Sequence, residues 1–166
     1  MPVTDITKDV DSRTLTITAE FAAPVERVWS LYEDPRQLEK VWGPPEYPAT
    51  FVDHDLRPSA RSTYYMTSPE GEKYCGYWDI TAVEPTSRFA FRDGFAHEDL
   101  TPNPELPVSE NVYAFHAADG GTRAVFTSTY DSAEALQTVL DMGMEEGARS
   151  AIDQIDDFLA QHPHSA

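Results

Sequence analysis

Residues 131–161 read DSAEALQTVLDMGMEEGARSAIDQIDDFLAQ, and this stretch decides the fold. Asp131 and Glu134 match a capping box, in which an N-cap residue is followed by Glu three positions later. We expect no interruption of the helix before Gln161, and Pro163 is expected to mark its end. About 28 residues at ~1.5 Å each would make a helix of roughly 42 Å, long enough to cross a small domain.

One face of this predicted helix is apolar, and most of the acidic residues lie off it. An apolar face of this length must pack against another element, and the strands predicted upstream are the available partner. The stripe and its neighbours are Leu136, Val139, Leu140, Gly143, Gly147, Ala151, Ile152, Ile155, Phe158 and Leu159.

Upstream of the helix, apolar and polar residues alternate with the period of two that is typical of β-strands. Residues 15–21 form the first predicted strand. Six more are predicted, and short turns such as Pro69-Glu70-Gly71 separate most of them, which indicates an antiparallel meander. These six are 50–56, 61–67, 74–83, 89–92, 111–117 and 123–130.

Two short helices are predicted between the first two strands, from Pro24 to the break at Asp34-Pro35 and over 36–41. Residues 93–109 contain three prolines and several acids, and we interpret them as a mobile flap or an edge-covering loop. The chain is thus predicted to be one α+β domain over 1–166, with its core at about 14–161. About seven antiparallel strands form a curved sheet, and the long helix packs across its concave face.

The charge balance excludes several classes of partner. Twelve basic and 29 acidic residues give a net charge of −17, which repels nucleic acids and anionic lipid surfaces. The polar start, 1–11, lacks the pattern of a signal peptide, and no stretch approaches the ~20 apolar residues of a membrane helix. We therefore expect a cytoplasmic protein that neither binds nucleic acid nor inserts into membranes. Cys75, the single cysteine, rules out an internal disulfide.

Aromatic residues recur at i, i+2 along the predicted strands and therefore share one face of the sheet. Large aromatics with a few hydroxyls are typical of an apolar pocket with sparse polar anchors. We predict such a pocket between the sheet and the helix. Its predicted ligand-binding residues are Tyr64, Met66, Trp78, Phe91, Tyr113, Phe115, Phe126, Ser128, Leu136, Leu140, Gly143, Met144 and Gly147.

The two glycines are unusual in a helix interior, where each costs roughly 1 kcal/mol relative to Ala. One interpretation is close contact between helix and sheet; the other is volume left for a ligand. On the second interpretation the N-terminal half of the helix covers the pocket. The C-terminal half, with Ile155 and Phe158, would cover a solid core.

No catalytic, metal or cofactor motif accompanies the pocket. The sequence has no phosphate-binding glycine loop, nucleophile elbow, dinucleotide fingerprint or His-x-x-x-His spacing. We predict no catalytic residue, no metal ligand and no cofactor. Of the five histidines His54 alone is a candidate for facing inward, and His54, Tyr113 and Asp93 are the weak candidates for an acid or base.

The element order and several motifs resemble the START-like (SRPBCC, helix-grip) superfamily that includes the birch-pollen-allergen fold. Within it the chain resembles the homologues of the activator of heat shock protein 90 ATPase. One departure is Ser59-Ala60, where that family usually has a Gly pair, so we expect altered turn geometry there. The motifs are PVERVW at 24–29, WGP at 42–44, DLRP at 55–58, PEG at 69–71, GYW at 76–78, DGF at 93–95 and MGMEEG at 142–147.

The resemblance implies the fold more strongly than the function, because one fold hosts many activities. Members of the superfamily bind lipids, plant hormones and polyketides, and a few are cyclases or hydrolases. Three hypotheses follow: a binder of an apolar small molecule, a chaperone-accessory module that binds a protein, and a cyclase- or hydrolase-like enzyme. The glycine pair and the aromatic sheet face favour the first.

Overall fold

The computed structural model describes residues 2–162, which form one sheet and five helices. The strands are β1 Val3–Asp9, β2 Thr14–Phe21, β3 Ala49–Asp53, β4 Arg61–Thr67, β5 Lys73–Glu84, β6 Arg88–Ala96, β7 Ser109–Ala118 and β8 Gly121–Tyr130. The helices are α1 Val25–Glu33, α2 Pro35–Leu38, α3 Ala133–Asp141, α4 Met144–Asp153 and α5 Ile155–Gln161.

The sheet is antiparallel throughout, with the strand order β1-β2-β8-β7-β6-β5-β4-β3. The predicted α+β class and the meander from β3 to β8 are therefore confirmed. β2 joins the last strand of the meander, from Leu15 opposite Ser128 to Phe21 opposite Thr122. The alternation predicted for 15–21 is also confirmed, since Leu15, Ile17, Ala19 and Phe21 are all buried.

The eighth strand, β1, was not predicted because it carries almost no hydrophobic pattern. Most of its residues are exposed, and it lies at the sheet edge, where it pairs with β2. An edge strand with one partner needs few apolar side chains, so a period-two search misses it. Elsewhere the strand positions agree with the prediction, although β6 extends four residues further, to Ala96.

The prediction of one uninterrupted C-terminal helix is wrong. Met142 caps α3, and Gly143 then takes a left-handed conformation with φ of +86° before α4 begins. A second break follows at Gln154, whose side-chain amide donates to the Gly43 carbonyl at 2.6 Å. Gly143 ends the first helix because glycine adopts positive φ without a steric penalty. Pro163, the predicted end of the helix, lies outside the described residues.

The helix start also differs from the predicted capping box. Ser132, not Asp131, is the N-cap, and its hydroxyl accepts a hydrogen bond from the Ala135 amide at 3.0 Å. Glu134 lies in the first turn, where a negative charge is favourable. The second short helix is shorter than predicted: α2 ends at Leu38 rather than at 41.

The predicted flap is a shorter loop than expected, because β6 and β7 take up both of its ends. The connection covers 97–108 and is held by backbone hydrogen bonds, including Asn103 to the Phe95 carbonyl at 2.8 Å. An isolated bridge pairs Ala96 with Pro102. The loop is thus anchored to the end of β6, beside the concave face.

A dense aromatic core fills the concave face beneath α1. Trp29 meets Phe89 and Phe115 edge to face, with ring centroids 5.9 and 6.0 Å apart. Trp78 stacks on Phe91 at 4.3 Å and is fully buried. Interlocked aromatic rings leave little room for a ligand, so this part of the face is solid core.

Ser59, one of the two residues that replace the family's usual glycine pair, has a strained backbone conformation. Ser59 has φ of +70°, a region that favours glycine, and its amide donates to the Ile80 carbonyl at 2.9 Å. Ala60 has no positive φ. Serine therefore occupies a left-handed position in this turn, which glycine would adopt without a steric penalty.

We expect Ser59→Gly to raise the free energy of unfolding by roughly 0.5–1 kcal/mol, because it removes the strain of a side chain at positive φ. Ala60→Gly is the matched control and should lower it by about 0.5–1 kcal/mol, since it adds only chain flexibility. Urea denaturation of both variants measures the difference. Destabilisation by both would show that Ser59 is unstrained.

Candidate ligand-binding cavity

A cavity of about 590 Å³ lies between the concave face of the sheet and the helices α3 and α4. The sheet contributes Leu15, Ile17 and Phe126 to its wall, and the helices contribute apolar side chains such as Val139 and Ile152. Residues 38–47, between α2 and β3, close a further side with Val41, Trp42, Pro44 and Tyr47. The cavity is therefore predominantly apolar and is lined by the sheet, by the helices and by residues 38–47.

Part of the predicted site lines this cavity and part does not. The lining includes Tyr64, Met66, Tyr113, Phe126, Ser128, Gly143, Met144 and Gly147. The residues that do not line it are Trp78, Phe91, Phe115, Leu136 and Leu140. The three aromatic members of this second group are buried in the aromatic core of the concave face, where Trp78 stacks on Phe91 and Phe115 packs against α1. The two leucines pack with the buried core.

The two glycines leave open space instead of allowing close contact with the sheet. A Cβ on Gly143 would meet no atom within 4 Å, and one on Gly147 would meet only the Pro44 ring at 3.7 Å. Ile152 and Ile155 also line the cavity. The predicted division into a pocket half and a solid half is therefore wrong: the cavity runs under the whole of α4, and solid core begins near Leu159.

One side of the cavity carries a polar cluster, of which the sequence indicated only Ser128 and, as a weak acid–base candidate, Asp93. Asp93, Ser109, Asn111 and Tyr130 all line the wall beside Ser128. The alternation along β6 puts Asp93 on the same face as Phe91, and β7 does the same for Ser109 and Asn111. The prolines and acids of 93–109 predict a loop, so the strand alternation of 89–92 is not extended to Asp93 by the sequence alone.

Asp93 is the centre of this polar cluster. The Tyr64 hydroxyl donates to Asp93 Oδ1 at 2.9 Å. Tyr113 and Tyr130 lie near enough for the Asp93 charge to influence their pKa values. The Asp93 side chain keeps some accessible surface, which we attribute to the cavity that it lines.

Neighbouring amide and hydroxyl groups are mutually satisfied. The Ser128 hydroxyl donates to Asn111 Oδ1 at 2.6 Å, and the Asn111 amide donates to Ser109 Oγ at 2.9 Å. A satisfied network of this kind is rigid. It supports the wall next to Asp93 without supplying a charge.

Gly76 positions Tyr64 for its bond to Asp93. The two residues are opposite each other on β4 and β5, and a Cβ on Gly76 would lie 2.5 Å from the Tyr64 ring and hydroxyl. Only a residue without a side chain therefore lets the phenol lie across β5. This close approach explains why the Tyr64 hydroxyl reaches β6.

Burial dominates the acid–base behaviour of the cluster. It raises the pKa of Asp93 to about 7, although the hydrogen bond from Tyr64 acts in the opposite direction. Burial also raises the pKa of Tyr64 and Tyr113 well above the ordinary value, so both hydroxyls stay protonated. The cluster thus combines stable hydroxyl donors with one carboxyl that titrates near neutral pH.

His54 lies outside the cavity and has a structural role. Its Nε2 lies 2.8 Å from the Tyr32 carbonyl, and its Nδ1 lies 2.7 Å from Ser62 Oγ. Burial lowers the pKa of His54, which favours the neutral ring. In that form Nε2–H donates to the carbonyl, and Nδ1 accepts from the serine. Of the weak acid–base candidates, Asp93 and Tyr113 line the cavity.

Neither a metal site nor a membrane-spanning helix is found among residues 2–162. Within them no group of three or more His, Cys, Asp or Glu side chains is placed to hold a metal ion. No helix in this described part is long and apolar enough to cross a membrane.

A family model described as "Activator of Hsp90 ATPase homolog 1-like protein" matches residues 22–160. Among solved structures, the chain is similar to protein Ms6760 from Mycobacterium smegmatis, with 68% identity over 95% of this chain and 97% of that one and a TM-score of 0.89. No curated protein matches.

Two more distant structures share the fold. A protein from Arthrobacter aurescens is 44% identical over 96% of this chain and 92% of its own, with a TM-score of 0.92. The AHSA1 protein from Silicibacter pomeroyi is 21% identical over 90% and 99%, with a TM-score of 0.73. The second likeness shows the fold alone.

The buried carboxyl predicts a pH-dependent effect on stability. In the unfolded chain an Asp titrates at about 3.9. Between that value and about 7, native Asp93 holds a proton that the unfolded chain has released. The contribution of Asp93 to the free energy of unfolding therefore becomes less favourable as pH rises across this window. Above about pH 7 the carboxyl is ionised in both states, and this contribution no longer changes with pH.

We expect Asp93→Asn to raise the free energy of unfolding at about pH 8 by roughly 1–3 kcal/mol, and the gain should shrink toward pH 5. Asp11→Asn, an exposed turn position, removes the same charge and should change stability by less than about 0.5 kcal/mol. Urea titrations across this pH range measure the difference. A gain that does not vary with pH would contradict the assignment.

Proposed function

Because the chain belongs to the family of activator of Hsp90 ATPase homolog 1-like proteins, we propose that it is a binding protein whose cavity takes an apolar small molecule. The observation that carries the proposal is the cavity itself. Its volume of about 590 Å³ falls within the range of roughly 300–1,000 Å³ that is usual for small-molecule sites. Its mainly apolar wall with a few convergent polar groups also suits such a ligand.

The rim of the cavity offers an entrance. Tyr47, Tyr74 and Met142 line the cavity and are exposed, with 37%, 53% and 56% of their surface accessible. The two tyrosine rings lie 6.0 Å apart. Exposed apolar side chains around an opening are expected where a ligand enters, and they explain half of the large hydrophobic residues exposed in the described chain.

A chaperone-accessory role, suggested by the family description, is the second candidate. It would require a contiguous exposed apolar patch or a matching charged surface. The other exposed large hydrophobic residues of 2–162 are Val10, Val52 and Val112, which belong to the β1–β2 turn, β3 and β7. This scatter favours the cavity over a docking surface.

The enzyme hypothesis would place Asp93 or Tyr113 in an acid–base role, since both line the cavity. A general acid or base needs a substrate proton within hydrogen-bond reach and, for most hydrolyses, a nucleophile or activated water. His54 cannot assist, because both of its ring nitrogens already have protein partners. Our proposal therefore contains no catalytic step.

Gly147→Leu tests the cavity directly. The added side chain should extend into the open volume and reduce binding of the neutral probe N-phenyl-1-naphthylamine by at least about tenfold, at a stability cost of ~1–3 kcal/mol. Fluorescence titration measures binding, and circular dichroism checks the fold. We choose Gly147 because Gly143 has positive φ, so a side chain there would also strain the backbone.

Gly147→Ala is the matched control. Its Cβ would meet only the Pro44 ring, at ordinary contact distance. It should keep probe binding within about twofold and stabilise the protein by up to ~1 kcal/mol, since Ala is the better helix former. Undiminished binding by a folded Leu variant would refute the cavity as the binding site.

Native mass spectrometry of the protein purified from its own host gives an independent test. We expect a bound small molecule whose mass disappears under denaturing conditions and whose occupancy falls in Gly147→Leu. Recovery of a stoichiometric protein partner with an empty cavity would favour the accessory role instead.

A further inference from the structure

The cavity wall carries a single charged side chain. Among the described residues that line it, Asp93 is the only Asp, Glu, Lys, Arg or His. The other polar side chains there are neutral hydroxyl, amide and indole groups. A ligand inside this cavity therefore meets one negative charge and no positive charge from the wall.

The Asp93 carboxylate has unused capacity to accept hydrogen bonds. A carboxylate offers about four lone-pair sites, and the Tyr64 hydroxyl occupies one of them, on Oδ1. No side chain in the described part of the chain donates to Oδ2. A buried carboxylate without a counter-charge is unfavourable. A ligand that brings a positive charge to Asp93 removes this unfavourable term and therefore binds more tightly.

Aromatic side chains surround the same position. Tyr64, Tyr113 and Tyr130 approach from β4, β7 and β8, and the Tyr113 ring meets Phe126 at 4.5 Å. The faces of such rings attract cations. A carboxylate flanked by aromatic rings is thus well suited to an ammonium group.

The charge of the whole protein acts in the same direction. A net charge of −17 attracts cationic ligands and repels anionic amphiphiles such as fatty-acid carboxylates. Long-range and local electrostatics therefore favour the same class of ligand.

We propose that the ligand is an apolar amine, with its ammonium group paired to Asp93 and its apolar body against the β2, β8 and α4 side chains. This inference rests on the ligand-binding function proposed above and names the class of ligand for that site. A neutral ligand whose oxygen accepts a hydrogen bond from protonated Asp93 is the alternative that the test must separate.

The pH dependence separates the two because Asp93 is the group that titrates near neutrality in this cluster. Burial raises the pKa of Asp93 to about 7. Burial first, and then the Asp93 charge, raises the pKa of Tyr130 to about 12. The other hydroxyls facing Asp93, on Tyr64 and Tyr113, also stay protonated, and so does that of Tyr77 on β5, whose pKa burial and Asp79 raise.

Charged side chains next to Asp93 on the outer side of the sheet form two ion pairs. Arg92 Nε lies 2.7 Å from Glu110 Oε1, and Arg61 Nε lies 2.6 Å from Asp79 Oδ1. Amine binding should therefore strengthen as pH rises and Asp93 ionises, whereas binding of a hydrogen-bond acceptor should weaken.

Three naphthalenes that differ only in their polar end provide the test: 1-naphthylmethylamine, 1-naphthalenemethanol and 1-naphthoate. Calorimetric titration at about pH 8 should show the amine binding at least about tenfold more tightly than the alcohol, with the carboxylate weakest. At about pH 5 the amine should lose roughly tenfold or more in affinity while the alcohol changes little.

Asp93→Asn is the decisive variant, because it keeps the shape and the acceptor for Tyr64 but removes the charge. Its amine affinity should fall to that of the alcohol and lose its pH dependence, while its alcohol affinity should stay within about threefold of wild type. Asp11→Asn controls for net charge and should behave as wild type. Circular dichroism and urea unfolding confirm that both variants are folded.

Each outcome decides a different claim. Equal binding of amine and alcohol, an amine preference that survives in Asp93→Asn, or tighter binding at acid pH would overturn the amine assignment and leave the cavity proposal standing. Failure of all three compounds and of the neutral probe to bind would overturn both.

Discussion

The concave face of the eight-stranded sheet has to be covered, and the two halves of the face are covered in different ways. Beneath α1 the aromatic rings of Trp29, Phe89 and Phe115 interlock and exclude any ligand. Beneath α3 and α4 the cover is interrupted at Gly143 and thin at Gly147, so the helices close the face without filling it. The cavity is what remains when one half of a single core is packed and the other is not.

The polar side of the cavity depends on this arrangement. Asp93 can remain inside the fold because the space in front of it is not filled, and because Tyr64 reaches it across Gly76. A carboxyl with a pKa of about 7 is unfavourable for stability at neutral pH. Groups that reduce stability in this way are concentrated at functional sites, which is why we interpret Asp93 as a recognition element rather than as a core residue.

The solved structures of similar proteins support the fold more strongly than they support the function. A TM-score of 0.73 at 21% identity shows that the sheet and its helical cover persist while most side chains change. This likeness therefore extends to the backbone architecture alone. Which ligand binds depends on a few wall residues, and those must be argued from this chain.

The sequence by itself determined the α+β class, the meander, the aromatic inward face of most strands and the place of the helical cover. Those features follow from local periodicity, which reports the buried face of an element whatever its partner. The sequence also drew attention to the two glycines. It did not predict that Gly143 would break the helix, because glycine can adopt negative or positive φ and the surrounding structure selects between them.

Tertiary structure alone decided which aromatic residues form solid core and which line the cavity. Trp78 and Tyr64 share one face of the sheet and both pack against Trp42, yet only Tyr64 lines the cavity. Trp78 is fully enclosed by neighbouring rings such as Phe51 and Phe91. Likewise, the sequence named Asp93 only as a weak acid–base candidate. Its place in the cavity wall follows from the pairing of β6 with β5 and β7, which continues the strand beyond its apolar pattern. Strand pairing and the packing of helices on the sheet join segments that are far apart in the sequence. The local pattern of apolar and polar residues therefore does not specify which residue contacts which.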